Sequence, residues 1–329
     1  MLKRRLCEAR FDWTLRCEGP LLIADGRYNK EKAKEDERKQ DPQKIFISRA
    51  TGDALLKGAK GPAEHLKLPF FVPGTSVRGP FRAQAERIIR SLVQAGAVPP
   101  KTACDPFDMG EAPLRSCSKR LDSTKVAVPY ASACPACRLF GCTGTASRIR
   151  FEDSDLPAIG SKDGPRSVYR DMIGIDRFTG GVHSGANMRL HALENVSFST
   201  AVTVQNFELW QLGLLAYVFQ DFADGLVPVG FGKSKGFGQV KGQVMSATLT
   251  YPRGKEEKIH HLGSLCSAAE RESYGLQEFD APQCSVDKAK PTGLHLYDSF
   301  TVKDLPSFWG GMAAAFDAFV ADLASEEKS

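Results

Sequence analysis

The sequence predicts an α+β fold built on a ferredoxin-like or RRM-like core. Three observations point there. Residues 7–17 alternate: Cys7, Ala9, Phe11, Trp13, Leu15 and Cys17 fall on one side, Glu8, Arg10, Asp12, Thr14 and Arg16 on the other. That is the period of a half-buried strand. Two helical patterns lie further along, each with strand patterns near it. The order β, β-turn-α, β, long arm, β, α, glycine-rich loop, β then interleaves both element types without tidy βαβ repeats.

Bulk properties set the frame. The chain has 329 residues, 42% hydrophobic and 25% charged, normal for a soluble globular protein of one large domain or two ordinary ones. No apolar run approaches membrane-span length. The start, MLKRRLCEARFDW, is basic but has no apolar core behind it, so a secretory signal is not expected and a cytoplasmic location is. A net charge of +5 permits nucleic-acid binding without demanding it. Nine cysteines without a signal peptide point to metal ligands rather than a disulfide framework.

Element by element, Gly19-Pro20 ends the first strand. A lysine-rich stretch, Asp25 to Lys44, is too charged to pack. With the short strand at 45–48 and the connection after it, residues 25–68 form a charged loop insertion. FFVPGTSVRGPFRAQAERIIRSLVQAG reads as strand, turn and helix. Thr75 or Ser76 caps the helix, Pro80 falls in its first turn and Gly96 closes it. Residues 97–145 are irregular and hold five of the nine cysteines. RIRFEDS is a strand, 157–189 a protruding arm or hairpin, and 190–208 a strand again. Leu209 to Ala223 is a helix stopped by Gly225. GLVPVGFGKSKGFGQVKGQV is a glycine-rich loop entering another strand. The core therefore occupies 1–252. Beyond it, 253–329 is a polar extension ending in an amphipathic helix with Trp309, Met312, Phe316, Phe319 and Leu323 at helical spacing.

Four constellations can carry chemistry. Cys134 and Cys137 have the spacing of a knuckle gripping tetrahedral Zn²⁺. Two more ligands come from Cys104, Cys117 or Cys142. Cys104 and Cys117 are expected, because a closed structural site joins a knuckle to distant ligands; the alternative is unrelated thiols. PGTSVRG opens a helix whose free N–H groups suit a phosphate, with Ser76, Arg78 and Arg82 as further donors; the alternative is a capped helix with solvated arginines. GFGKSKGFG offers Lys233 and Lys235 on a turn that lies against an RNA backbone or is simply tight. It does not follow a strand, as a dinucleotide site would. In RSVYRDMIGIDRFTGGVHSGANMRL, arginines including Arg177 alternate with Tyr169, Phe178 and Met188, a pattern suited to single-stranded nucleic acid or to an ordinary surface hairpin. Of the histidines, only His183 on this arm invites a function. Arg148 and Arg150 sit on the RIRF strand, placed for RNA contact or for packing of their stems.

VPGTSVRGPFR, CPACRLFG, ASRIRFED, IGIDRFTGG and VGFGKSKGFGQV form an ordered series over residues 5–250. The series resembles the RAMP superfamily of CRISPR-associated proteins, and more narrowly the backbone subunits of type III and type III-derived effector complexes. The resemblance implies an RRM/ferredoxin-like palm, a zinc-binding insertion at 97–145 and a protruding thumb β-hairpin at 157–189. It implies copies stacked in a filament along a CRISPR guide RNA, with target RNA, other effector subunits and a separate nuclease as partners. Carried over, Ser76, Arg78, Arg82, Lys233 and Lys235 hold guide phosphates, and Arg177, Phe178 and Met188 lie on the thumb. Many members cut target RNA through an aspartate before the PG[TS]S turn, with a divalent metal such as Mg²⁺. Here that loop departs from the pattern: Asp53 is the nearest candidate, with Asp25 and Asp41 behind it. The leading expectation is a guide-binding subunit that leaves cutting to a partner. The alternatives are the same subunit as a metal-dependent endoribonuclease, and a stand-alone guide-processing ribonuclease.

Overall fold

The computed structural model describes residues 3–27, 42–50, 68–93, 96–108, 115–121, 129–162, 164–290 and 293–325. Its elements, in chain order, begin with β1 (Glu8–Cys17), β2 (Phe71–Val72) and α1 (Gly74–Leu92). Short helices α2 (Cys117–Arg120), α3 (Pro129–Ser132) and α4 (Pro135–Phe140) follow. Then come β3 (Ile149–Phe151), β4 (Ser154–Asp155), β5 (Arg166–Ile175), β6 (Val182–Glu194), β7 (Ser197–Gln205) and α5 (Leu209–Ala223). The chain finishes with β8 (Val240–Pro252), α6 (Leu262–Leu265), α7 (Ala268–Tyr274), β9 (Val286–Lys288), β10 (Tyr297–Val302) and α8 (Leu305–Ser325).

β1 is the axis. Its alternating pattern buries Ala9, Phe11, Trp13 and Leu15 completely, and it pairs antiparallel with β7 on one side and β8 on the other. The sheet order is β3-β7-β1-β8-β10-β9. Within it, β1-α1-β3-β7-α5-β8 is a βαββαβ unit, the ferredoxin-like arrangement. The helices cover the apolar face: Phe81 of α1 and Phe222 of α5 stack 5.0 Å apart, and both meet Trp13 edge-on, at 5.2 Å and 5.0 Å. Such aromatic pairs add about 0.5–1.5 kcal/mol each beyond area burial. The opposite face of β1 carries Glu8, Arg10, Asp12, Thr14 and Arg16.

Three local expectations are corrected. The first helix begins at Gly74, directly after extended Pro73, which puts Pro80 inside the helix rather than in its first turn. Lacking an N–H, Pro80 leaves the Ser76 carbonyl without its usual helical donor. The helix also ends at Leu92, before Gly96. The strand expected over 190–208 is two strands, because Asn195 adopts a left-handed conformation (φ 54°) and reverses the chain between β6 and β7. Asparagine tolerates that region better than most residues.

The C-terminal part adds strands invisible in the sequence. β10 pairs with β8 and β9 with β10, extending the sheet. α8 lies on α5, with Trp210 stacked on Phe319 at 4.2 Å and 7°. Among the described strands, β5 and β6 form a separate two-stranded sheet. Single bridges from Leu21 to Leu193 and from Lys44 to Leu190 tie the base of this hairpin down. Among the described residues, no helix is long and apolar enough to cross a membrane.

Candidate metal centre and nucleic-acid surface

The cysteine cluster is built by local structure. Cys134 is the N-cap of α4, with Pro135 in the first turn, where a missing N–H costs nothing. One turn then brings Cys137 back beside it. Cys117 opens α2, and Cys104 comes from the irregular segment before it. The four sulfurs lie within 4.8 Å of one another, all buried, and can hold a metal ion. Cys142, the alternative ligand, lies outside this group; its hydrogen bond with Cys137 draws its thiol down to about 6.

The surroundings treat these sulfurs as acceptors. The amide of Cys134 donates to Cys117 Sγ at 3.4 Å and that of Cys137 to Cys134 Sγ at 3.4 Å. Arg120 Nη2 donates to Cys117 Sγ at 3.3 Å and Arg82 Nη2 to Cys137 Sγ at 3.4 Å. Hydrogen bonds from Cys104, Cys134 and Cys137 hold the Cys117 thiol far below its ordinary value, while sharing hydrogens with Cys104 and Cys117 pushes Cys134 up. Such a set sheds its protons when a divalent cation enters. Four sulfur donors at mutual contact match tetrahedral zinc chemistry.

Arg82 and Arg78 are placed otherwise than the sequence suggested. Arg78, Arg82, Glu86 and Arg90 recur every four residues on α1 and form one stripe facing the cysteine segment. Arg78 Nη2 donates to the Phe140 carbonyl, and Arg82 Nη1 to the Gly141 carbonyl at 3.1 Å. Arg90 donates to the carbonyls of Ala103 and Cys104, at 3.2 and 2.5 Å. Glu86 bridges Arg82 and Arg90 at 2.7 and 3.6 Å. Burial opposes the Arg82 charge, but Glu86 and the cysteine sulfurs hold its guanidinium above its ordinary value. Arg82 thus clamps the cysteine segment onto α1, and Arg78 is turned the same way. The helix N-terminus is also occupied: the Gly74 amide donates to Asp153 Oδ1 at 2.8 Å and the Ser76 amide to the Pro73 carbonyl at 2.9 Å. A carboxylate of the chain itself thus sits where a phosphate was expected. Ser76 is half-buried beside it.

Arg148 is likewise turned inward. It is 3% exposed, donates to the Asn206 carbonyl at 2.6 Å and lies 3.8 Å over the Tyr130 ring. Tyr130 in turn donates to buried Glu208, and Gln211 Nε2 donates to the Tyr130 hydroxyl at 3.1 Å. This network joins the cysteine segment to α5. Nothing in the sequence singled out Tyr130 or Glu208; Arg120 and Arg90 gave only an unremarkable charge signal.

The glycine-rich loop folds against the end of β1. Phe231 N–H bonds the Leu22 carbonyl at 2.7 Å and Gly238 N–H the Pro20 carbonyl at 2.8 Å. At Gly238 (φ 73°) an added Cβ would lie 2.9 Å from the Val229 carbonyl carbon, so conformation and space both require glycine. Lys233 and Lys235 stand on the exposed turn of this loop. Partial desolvation and the Arg87 charge lower the Lys233 ammonium from its usual value.

On the hairpin, Asp176 organises the tip. Its Oδ1 accepts the amides of Phe178 and Thr179, both at 2.8 Å, and these amides hold its carboxyl below the usual range. Phe178 is 99% exposed, beside exposed Arg177. Met188 faces Met172 across the hairpin and is half-buried. Tyr169 sits nearer the base, against His191 at 5.2 Å. His183 is exposed on β6.

Asp25, the alternative catalytic candidate, is engaged by Arg27. Arg27 binds both of its oxygens, at 3.0 and 2.7 Å, and its own amide donates at 2.9 Å. The carboxylate is 1% exposed and paired with the Arg27 guanidinium. Asp53 and Asp41 lie outside the described residues.

A comparison with protein-family models matches residues 56–241 to the one described as the RAMP superfamily. A comparison with curated proteins gave no match. The match runs through α1, the cysteine segment, the hairpin and the glycine-rich loop. Matched over more than half its length, on a largely antiparallel α+β sheet with a ferredoxin-like core, the chain belongs to the RAMP superfamily of CRISPR-associated, RNA-binding proteins.

Proposed function

We propose that this chain is a guide-RNA-binding subunit of a type III or type III-derived CRISPR effector complex. Copies assemble along the guide and present it for pairing with target RNA, and cutting is left to a partner nuclease. The observation that carries the reading is the hairpin tip. Phe178 contributes nothing to the core, yet Asp176 fixes the turn that bears it, next to Arg177. A ring and a guanidinium held together in solvent suit a base to be stacked or wedged and a phosphate to be paired.

On this reading the β5–β6 hairpin is the thumb, with Met188 on its flank, and Lys233 and Lys235 hold guide phosphates. Residues 97–145 form an insertion held rigid by a structural Zn²⁺ on Cys104, Cys117, Cys134 and Cys137. Zinc there supplies cross-linking of the irregular segment and no chemistry. Intrinsic cleavage would need an acid other than Asp25, with Asp53 the candidate, and Mg²⁺.

The test is binding of the purified protein to labelled guide RNAs of increasing length. Complexes should grow by whole subunits with guide length, and affinity should fall steeply with salt. Salt-independent binding, or a single copy processing a repeat hairpin, would sink the proposal. Cutting of a complementary target at regular spacing in Mg²⁺, lost in Asp53→Ala, would replace it with the ribonuclease reading.

A further inference from the structure

We propose that Arg82 and Arg120 are the counter-charges of the metal centre. Because Arg82 belongs to α1 of the sheet-covering layer, metal binding and docking of the cysteine segment onto that helix become one event. This rests on the reading of the four cysteines as a metal site.

The charge argument is direct. Four thiolates around a divalent cation keep two negative charges, and the site is buried. An uncompensated buried charge is expensive. Two guanidinium groups reach the sulfurs, one on Cys137 in α4 and one on Cys117 in α2. A guanidinium is a permanent cation, and Glu86 on Arg82 is itself offset by Arg90 at 3.6 Å, so the assembled group carries no net charge.

The two cations differ in origin. Arg120 comes from the cysteine segment itself, in the same short helix as its sulfur, and is anchored by the Ser132 carbonyl at 2.6 Å. Arg82 crosses from α1 and is fixed on three sides, by Glu86 at 2.7 Å, by the Gly141 carbonyl at 3.1 Å and by Cys137. Loss of the metal removes the ion that holds Cys137 Sγ as a thiolate, and Arg82 then faces a weaker acceptor. The contact that ties α4 to α1 would weaken with it.

The experiment loads the full chain with Zn²⁺ and measures transfer to a chromogenic chelator, with Co²⁺ substituted in parallel to read the thiolate charge-transfer band. Arg82→Met and Arg120→Met should each weaken metal binding about 10–100-fold, as expected for partners of metal ligands. Arg82→Lys, which keeps the charge but loses the fork, should recover part of that. Arg78→Met removes a neighbouring docking bond to the Phe140 carbonyl but none to sulfur, and should weaken metal binding clearly less than Arg82→Met. In the wild type, chelation should accelerate amide exchange in α1 around Arg82.

Arg82→Met with wild-type affinity would overturn the assignment, as would Arg78→Met losing as much as Arg82→Met. If Arg82→Met does not fold, Arg82→Lys with unchanged affinity and an unshifted Co²⁺ band overturns it instead. A wild-type chain that binds no metal fails the metal reading itself. One ion per chain with indifferent arginine variants fails the arginine assignment alone.

Discussion

Gly213→Ala measures how closely the C-terminal helix is built into the core. Gly213 lies in α5 on the side of α8. An added Cβ would stand 2.7 Å from Phe316 Cβ and 2.8 Å from the Met312 carbonyl carbon, inside the 3.0 Å limit of real Cβ contacts. The Met312 atoms are backbone, so no rotamer change relieves them, and α8 must move away. Two effects oppose each other. Alanine in place of glycine inside a helix gains about 1 kcal/mol. Overpacking costs about 1–3 kcal/mol, and the displacement also loosens the Trp210–Phe319 stack at 4.2 Å. The net expectation is a loss of about 1–2 kcal/mol, with Tm falling by about 2–4 °C per kcal/mol. Thermal and urea unfolding followed by circular dichroism read it. A variant that is more stable, by the helix-propensity gain alone, would refute the close approach and with it the integration of α8 into the core.

Three further outcomes are expected. Phe178→Ala should leave Tm unchanged, because the ring is 99% exposed, while weakening RNA binding by about 1–3 kcal/mol if one base stacks on it; a lowered Tm with intact binding would count against the hairpin's role. Lys233→Ala and Lys235→Ala should each reduce the slope of log affinity against log salt by about one, and an unchanged slope removes that lysine from the phosphate contacts. Asp25→Asn tests the Arg27 pair through pH. Burial opposes the ionised carboxyl, but the Arg27 guanidinium and amide outweigh it and hold Asp25 below its usual range. The pair therefore stabilises at neutral pH, and that contribution is lost as pH falls through the lowered folded value. The wild-type stability curve should drop more steeply than the variant's below about pH 4, and parallel curves would contradict the pairing.

Some of this was legible from sequence for physical reasons. The alternation in β1 is legible because one face is wholly buried and the other is not. α5 is legible because Gly225 ends a long apolar run; its capping residue, Glu208, was not. The cysteine grouping is legible because thiols that ligate must be numerous and local. The direction of Arg78 and Arg82 was not. On a helix, arginines four apart look the same whether they face solvent or carbonyls, and their acceptors at Phe140 and Gly141 lie far along the chain. Arg148 misleads in the same way, since a strand's alternation says that a residue points out but not that Tyr130 covers it. β9 and β10 are short and mostly polar, so only pairing makes them strands, β10 on β8 and β9 on β10. The α1 N-terminus read as an anion site, and Asp153 brings a carboxylate to its first amide.

The placement of β1 has a consequence for biosynthesis. Phe11 pairs with Val202 and Ala247, so β1 leaves the ribosome long before either of its sheet partners. At about 5–20 residues per second that wait is roughly ten to forty seconds, during which the stripe Phe11–Trp13–Leu15 has no sheet to join. Non-local pairing of this kind slows folding. The nascent chain is thus a client for holding factors until β7 emerges, and a ribosome stalled before that strand would release a product prone to aggregate through β1.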